Sequence, residues 1–138
     1  TTALSGLTLV ANADRTSLMA GVDGVQIIRN HCDLEDIVTG NASNTDGTST
    51  QVIAASGDAA IKIYLTRITL TNTSATFAYV EIKDGTTVKH TVPVPATGGA
   101  TVAFDPPIPG TANTAWNFDP SAATTTMICS ATGFKSKV

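Results

Sequence analysis

The densest group of reactive side chains is HCDLED, residues 31–36, which brings an imidazole, a thiol and three carboxylates within six positions. Two chemistries could use it. Cys32 could act as a nucleophile with His90 as its base, or His31, Cys32, Asp33 and Asp36 could hold a metal ion. A zinc site normally presents a second ligand pair, and none follows here. The Cys–His dyad needs proximity in space that spacing alone does not supply. The simpler reading is a capped turn whose acids face water. His90 sits on the strand phase of Val88 and Val92 and reads as a partly buried or interface histidine. Asp105 and Asp119 each precede a proline, which turn initiation explains without a glycosidase-type carboxylate pair. Gly98-Gly99 lacks the Lys-Ser/Thr and the helix of a phosphate loop. Trp116 and Phe118 share one face; they could stack on a sugar, but a core position fits them better. The sequence therefore predicts no catalytic residue, no metal, no cofactor and no enzymatic activity.

The elements that carry these residues follow from composition. The chain has 138 residues, enough for one domain with a core of its own. Hydrophobic residues make up 42% and charged residues only 14%, and 24 threonines fill much of the difference. Threonine is β-branched and suits the exposed face of a strand. The net charge of −3 is uneven: residues 1–50 carry −4 and residues 51–138 carry +1. No basic patch interleaved with aromatics occurs, which argues against nucleic-acid binding. No run approaches the length of a membrane span and no secretory pattern is visible, so a protein made and folded in a cytosol is expected. Cys32 and Cys129 could pair, but two reduced, partly buried thiols are the better reading. The sequons at Asn41 and Asn72 are disregarded for want of a secretory signal.

NASNTDGTST (41–50) is a polar run that reads as a linker. The segment before it, 1–50, is expected to be an extended arm. Leu7–Val10 and Val25–Ile28 would be short strand-like pieces, and a single helical turn, capped by Asn30 or Asp33, would end at Gly40. After it, apolar runs alternate with turn clusters at spacings of about ten residues, the mark of a sandwich or barrel. In AIKIYLTRITLTN (60–72), Ile61, Ile63 and Leu65 share one phase and Ile68 and Leu70 take the other. A strand of period two cannot do that without a bulge, expected near Thr66-Arg67. In VEIKDGTTVKHTV (80–92), Asp84-Gly85 predicts a hairpin with a type I′ turn. The following strand would set Val88, His90, Val92 and Val94 on one face, and Pro93 and Pro95 predict that it lies at an edge or ends there. The expected fold is all-β: a β-sandwich or jelly-roll-like barrel of about seven antiparallel strands over 51–138, with the N-terminal arm 1–50.

The stretch SGDAAIKIYLTRITLTNTSATFAYVEIKDGTTVKHTVPVPATGGATVAFDPPIP resembles small structural proteins encoded among the head genes of tailed bacteriophages. The elements that carry the resemblance are Ser56-Gly57-Asp58, Ile61–Ile63, Lys83–Thr86, Val92–Pro95, Gly98-Gly99 and Ser121–Ala123. The resemblance covers residues 51–134 and leaves 1–50 unmatched. It implies a capsid decoration, or cement, protein on the exterior of an icosahedral virion, made in the host cytoplasm. It also implies binding to the major capsid protein and assembly as a homotrimer, with no nucleic acid, membrane or cofactor as partner. Within that reading Leu7, Leu9, Val10, Val25, Ile27 and Ile28 are the expected apolar anchors to capsid or neighbouring subunit. The alternative is a tail, neck or head-fibre component that uses exposed aromatics such as Tyr79 or Trp116 on a host-surface glycan.

Overall fold

A computed structural model describes residues 18–20, 26–28, 36–123 and 126–137. The chain divides into two compact units, Thr1–His31 and Cys32–Val138. In the first, β1 (Leu18–Ala20) pairs antiparallel with β2 (Gln26–Ile28).

The second unit is built from β3 (Ile37–Asn44), β4 (Thr50–Ile53), β5 (Ile61–Asn72), β6 (Ala78–Asp84), β7 (Thr87–Val94), β8 (Gly99–Pro109), β9 (Trp116–Pro120) and β10 (Met127–Lys137). They form two antiparallel sheets, ordered β3-β10-β5-β8 and β4-β9-β6-β7. Every connection crosses from one sheet to the other except β6–β7, a hairpin. That order is an eight-stranded jelly roll. The described residues contain no α-helix. The all-β sandwich expected from the sequence is the fold, and its last seven strands lie in the region where about seven were expected.

Period-two alternation sends one row of each strand inward. Ile63, Leu65, Ile68 and Leu70 of β5 meet Val80 and Ile82 of β6, Trp116 and Phe118 of β9, and Met127 and Cys129 of β10, all buried. Each such large apolar side chain contributes roughly 1.5–3 kcal/mol when fully buried. The phase change in β5 is resolved as the sequence requires. Leu65 lies opposite Gly133 and Arg67 opposite Thr132, so Thr66 is the bulged residue. Its hydroxyl donates to Thr132 O at 2.8 Å. All four inward residues of β5 therefore reach the same core.

Three expectations are corrected. The run 41–50 is not a linker: it is the end of β3, the start of β4 and the corner between them. Asn44, 3% exposed, holds that corner. Its Nδ2 donates to Thr48 O at 2.6 Å and Thr50 Oγ1 at 2.7 Å, and its Oδ1 accepts from Gly47 N at 2.8 Å. The arm reading of 1–50 therefore stops short of residue 37, because β3 pairs with β10 along all eight of its residues. Gly40 ends no helical turn; it lies mid-strand, where a Cβ would stand 1.7 Å from Val52 O of β4.

The hairpin turn is also shifted by one residue. Asp84 pairs with Thr87, leaving Gly85-Thr86 as the loop, and only Gly85 has positive φ (61°). That matches a type II′ turn, with Gly first, rather than the expected I′. The register then slips between Ile82 and Lys83: His90 faces Ile82 while Val88 faces Lys83, leaving Lys89 as the extra residue. Val88 consequently leaves the phase of His90, Val92 and Val94 and is 45% exposed. As expected from Pro93, β7 is an edge strand, and it ends at Val94.

Candidate functional site

The sandwich presents two outer faces of different character. On the β3-β10-β5-β8 face, register sets side chains in rows across all four strands. Asn41, Ser130, Thr69 and Thr101 form one row. Hydrogen bonds stitch it: Asn41 Nδ2 donates to Ser130 Oγ at 2.6 Å, and the Thr69 and Thr101 hydroxyls are 3.2 Å apart. A second row holds Thr39, Thr132, Arg67 and Ala103. A third holds Ile37, Phe134, Tyr64 and Pro109. In it the Phe134 and Tyr64 rings stack with centroids 5.1 Å apart and an interplanar angle of 3°. The face is hydroxyl-rich and sparsely charged, with an apolar row toward one end.

The β4-β9-β6-β7 face carries charge. Lys83 of β6 is hydrogen-bonded to Asp119 of β9 and lies 3.1 Å from Glu81 of its own strand. The bond to Asp119 above all, and then that to Glu81, holds the Lys83 ammonium above its usual pKa. Exposed aromatics flank this row: Phe77 is 57% and Tyr79 48% exposed, with Tyr79 opposite Pro93 of β7.

At the hairpin end the carboxylate of Asp84 is buried. Its Oδ2 accepts from Thr111 N at 2.8 Å and Thr111 Oγ1 at 2.6 Å, with Lys89 Nζ 3.7 Å away. Its Oδ1 has no hydrogen-bond partner among the described residues. Asp84 thus ties the β6–β7 hairpin to the segment leading into β9.

Among the described residues the candidate reactive groups do not converge. His31, Cys32 and Asp33 lie outside the described residues, as do the expected anchors Leu7, Leu9, Val10 and Val25. Ile27 and Ile28 lie on β2, opposite Met19 and Leu18. His90 packs edge-on against Phe104, ring centroids 5.3 Å apart. Cys129 is a free, buried thiol whose burial pushes its pKa up to about 12. Asp105 lies on β8 of one sheet and Asp119 on β9 of the other, where it is bonded to Lys83. Trp116 and Phe118 are both 0% exposed, and the Trp116 Nε1–H donates to Ile63 O at 3.1 Å. They are core residues, as the sequence favoured, and no sugar platform. Among the described residues no three His, Cys, Asp or Glu side chains group as metal ligands.

No family model and no curated protein matches the sequence. Solved structures similar to it include two of low identity. One is the PRD1 vertex protein P5, at 14% identity and a TM-score of 0.45, covering 72% of this chain and 96% of that one. The other comes from Bacillus endospore appendages, described as a family of disulfide-linked pili, at 14% identity and a TM-score of 0.43, covering 77% and 96%. At these values neither protein's role is carried over to this chain.

The threonine-rich strand face expected from composition is this one, though the sequence did not say which strands build it. Its signal was present in TRITLTN and IVTGNAS, where Thr, Asn and Ser recur at alternate positions. The Asp84–Thr111 tie had no comparable signal, because its partners are 27 residues apart.

Proposed function

We propose that this chain is a structural protein of a phage virion that decorates the outer surface of an icosahedral capsid, binding the major capsid protein and stabilising the shell. The observation that carries the reading is the β3-β10-β5-β8 face. A sheet surface of hydroxyls and amides with few ions can be covered by a neighbour at little desolvation cost, since buried unpaired charge is what penalises an interface most. Many copies on a symmetric shell turn such weak contacts into firm attachment. The sequence resemblance to phage head proteins supports the same role, and jelly rolls serve as viral capsid and lectin domains, an argument by analogy of fold. The work in this reading is adhesion rather than catalysis. The chain assembles with itself, as a homotrimer, and the segment holding Leu7, Leu9, Val10, Val25, Ile27 and Ile28 supplies apolar anchors.

The test is co-sedimentation of the purified chain with empty shells, beside a variant lacking residues 1–31. The full chain is expected to decorate the shells to saturation. The shortened chain, which keeps every strand of the jelly roll, is expected to stay folded and bind far more weakly. Equal binding by both would remove the anchor role, and no binding by either would remove the decoration reading.

A second reading rests on Phe77 and Tyr79, which stay exposed on the other face: a fibre or tail component that stacks on a host-surface glycan. Replacing both with Ala would abolish retention on host envelope polysaccharide in that case and leave shell decoration intact in the first.

A further inference from the structure

A sandwich has four edge strands, and each open edge invites another strand to add to it. Three of the edges here are guarded. β4 is four residues long and bulges at Val52, which has no partner between the Gln51–Asn117 and Ile53–Trp116 pairs. β7 carries Pro93 and the Lys89 bulge. β8 carries Pro106, Pro107 and Pro109, and its register with β5 breaks after Ala103. β3 has none of these devices. It runs eight residues, IVTGNASN, in unbroken register with β10, without proline, charge or bulge. Among the described residues nothing pairs with its other side.

We propose that the free edge of β3 pairs antiparallel with β3 of a second copy of this chain about a two-fold axis, joining two four-stranded sheets into one of eight. The occupant follows from the strand's own chemistry. A two-fold contact sets the strand against a copy of itself, so a strand carrying charges of one sign would oppose like charges, whereas this uncharged one opposes none. Period two restricts the pairing to registers that keep outer residues opposite outer residues. Two central ones do so. With Gly40 opposite Gly40, Thr39 meets Asn41 of the second copy; with Asn41 opposite Asn41, Thr39 meets Ser43. In both, hydroxyls and amides face one another and hydrogen-bond across the junction. The contact continues the hydroxyl-rich outer face without interruption and leaves the β4-β9-β6-β7 face free. It is distinct from a trimer contact, and joins trimers in pairs where both occur.

The test is analytical ultracentrifugation of the full chain over a concentration series, beside Thr39→Lys/Asn41→Lys and Thr39→Glu/Asn41→Glu. Both sites point outward and are exposed, so thermal melting should show each variant folded. Wild type is expected at no less than twice the mass of either variant, and an equimolar mixture of the two variants should regain the wild-type mass, because Lys then faces Glu. Thr101→Lys on the β8 edge should leave the mass unchanged. Equal masses for wild type and the double-lysine variant, or failure of the mixture to associate, would overturn the proposal. So would edge-facing β3 amides, those not bonded to β10, equally protected from hydrogen exchange in wild type and in both variants, which would show the edge already filled from within the chain.

Discussion

Gly40→Ala probes whether β3 belongs to the sandwich or to an arm. The added Cβ would sit 1.7 Å from Val52 O and 2.7 Å from Val52 C. A carbon and a carbonyl oxygen normally approach no closer than about 3.3 Å, so relief requires the two strands to part by roughly 1.5 Å. The obstructing atoms are backbone, so no rotamer change relieves them. β3 and β4 lie in opposite sheets, and separation would loosen the packing over Val52 and Ile53, 8% and 4% exposed. Overpacking of this kind costs about 1–3 kcal/mol. The loss of glycine's freedom in the unfolded chain returns about 0.4–1 kcal/mol. The net expectation is a loss of about 1–2 kcal/mol, which for a unit near 100 residues lowers Tm by roughly 4–15 °C. Trp116, the single tryptophan and fully buried, reports unfolding by its fluorescence in a urea titration. The midpoint should fall with little change in slope, and Thr39→Ala next door should leave it unchanged. A Gly40→Ala chain as stable as wild type would refute the packing of β3 on β4.

Other outcomes follow from the core and the hairpin end. Cys129 should resist a thiol-specific disulfide reagent in the native chain and react on unfolding, because its thiolate is disfavoured up to about pH 12; rapid native labelling of Cys129 would contradict its burial. Asp84→Ala should cost about 1–3 kcal/mol in urea denaturation, since it removes the charged acceptor of two hydrogen bonds, from Thr111 N–H and Thr111 Oγ1–H, whereas Asp84→Asn keeps an acceptor for Thr111 and should cost less. Lys83 has a folded pKa raised above 10.5, so its contribution is fully present below that value and is lost as pH rises through the higher folded one. Asp46 is the opposite case. Thr48 N–H above all holds its carboxyl below the usual 3.8, so its contribution is present above 3.8 and is lost as pH falls through the lower folded value. Carboxyl and lysine side-chain NMR titrations check both directions.

What could be read from the sequence was what adjacent residues decide. The bulge at Thr66 followed from five apolar positions changing phase within one strand. The buried pair Trp116 and Phe118 followed from alternation, and the edge position of β7 from Pro93. What could not be read depends on contacts distant in sequence. Asp-Gly is a strong local turn signal and places Asp84 in the turn. Thr111 binds its carboxylate instead, and the loop moves on to Gly85-Thr86. β3 reads as part of an arm in sequence because its outward residues include Thr, Asn and Ser and its inward ones include Gly40, which leaves no apolar alternation. Its place is set by β10 and by the close approach of Val52, neither visible in the ten residues around it.

The most direct test of the decoration role is copy number in purified virions, read as the intensity of this chain's band against that of the major capsid protein. The account predicts an abundance of the same order as the capsid protein's, one copy or a small fixed fraction of a copy per capsid subunit. A band at the level of vertex, neck or tail components would contradict it.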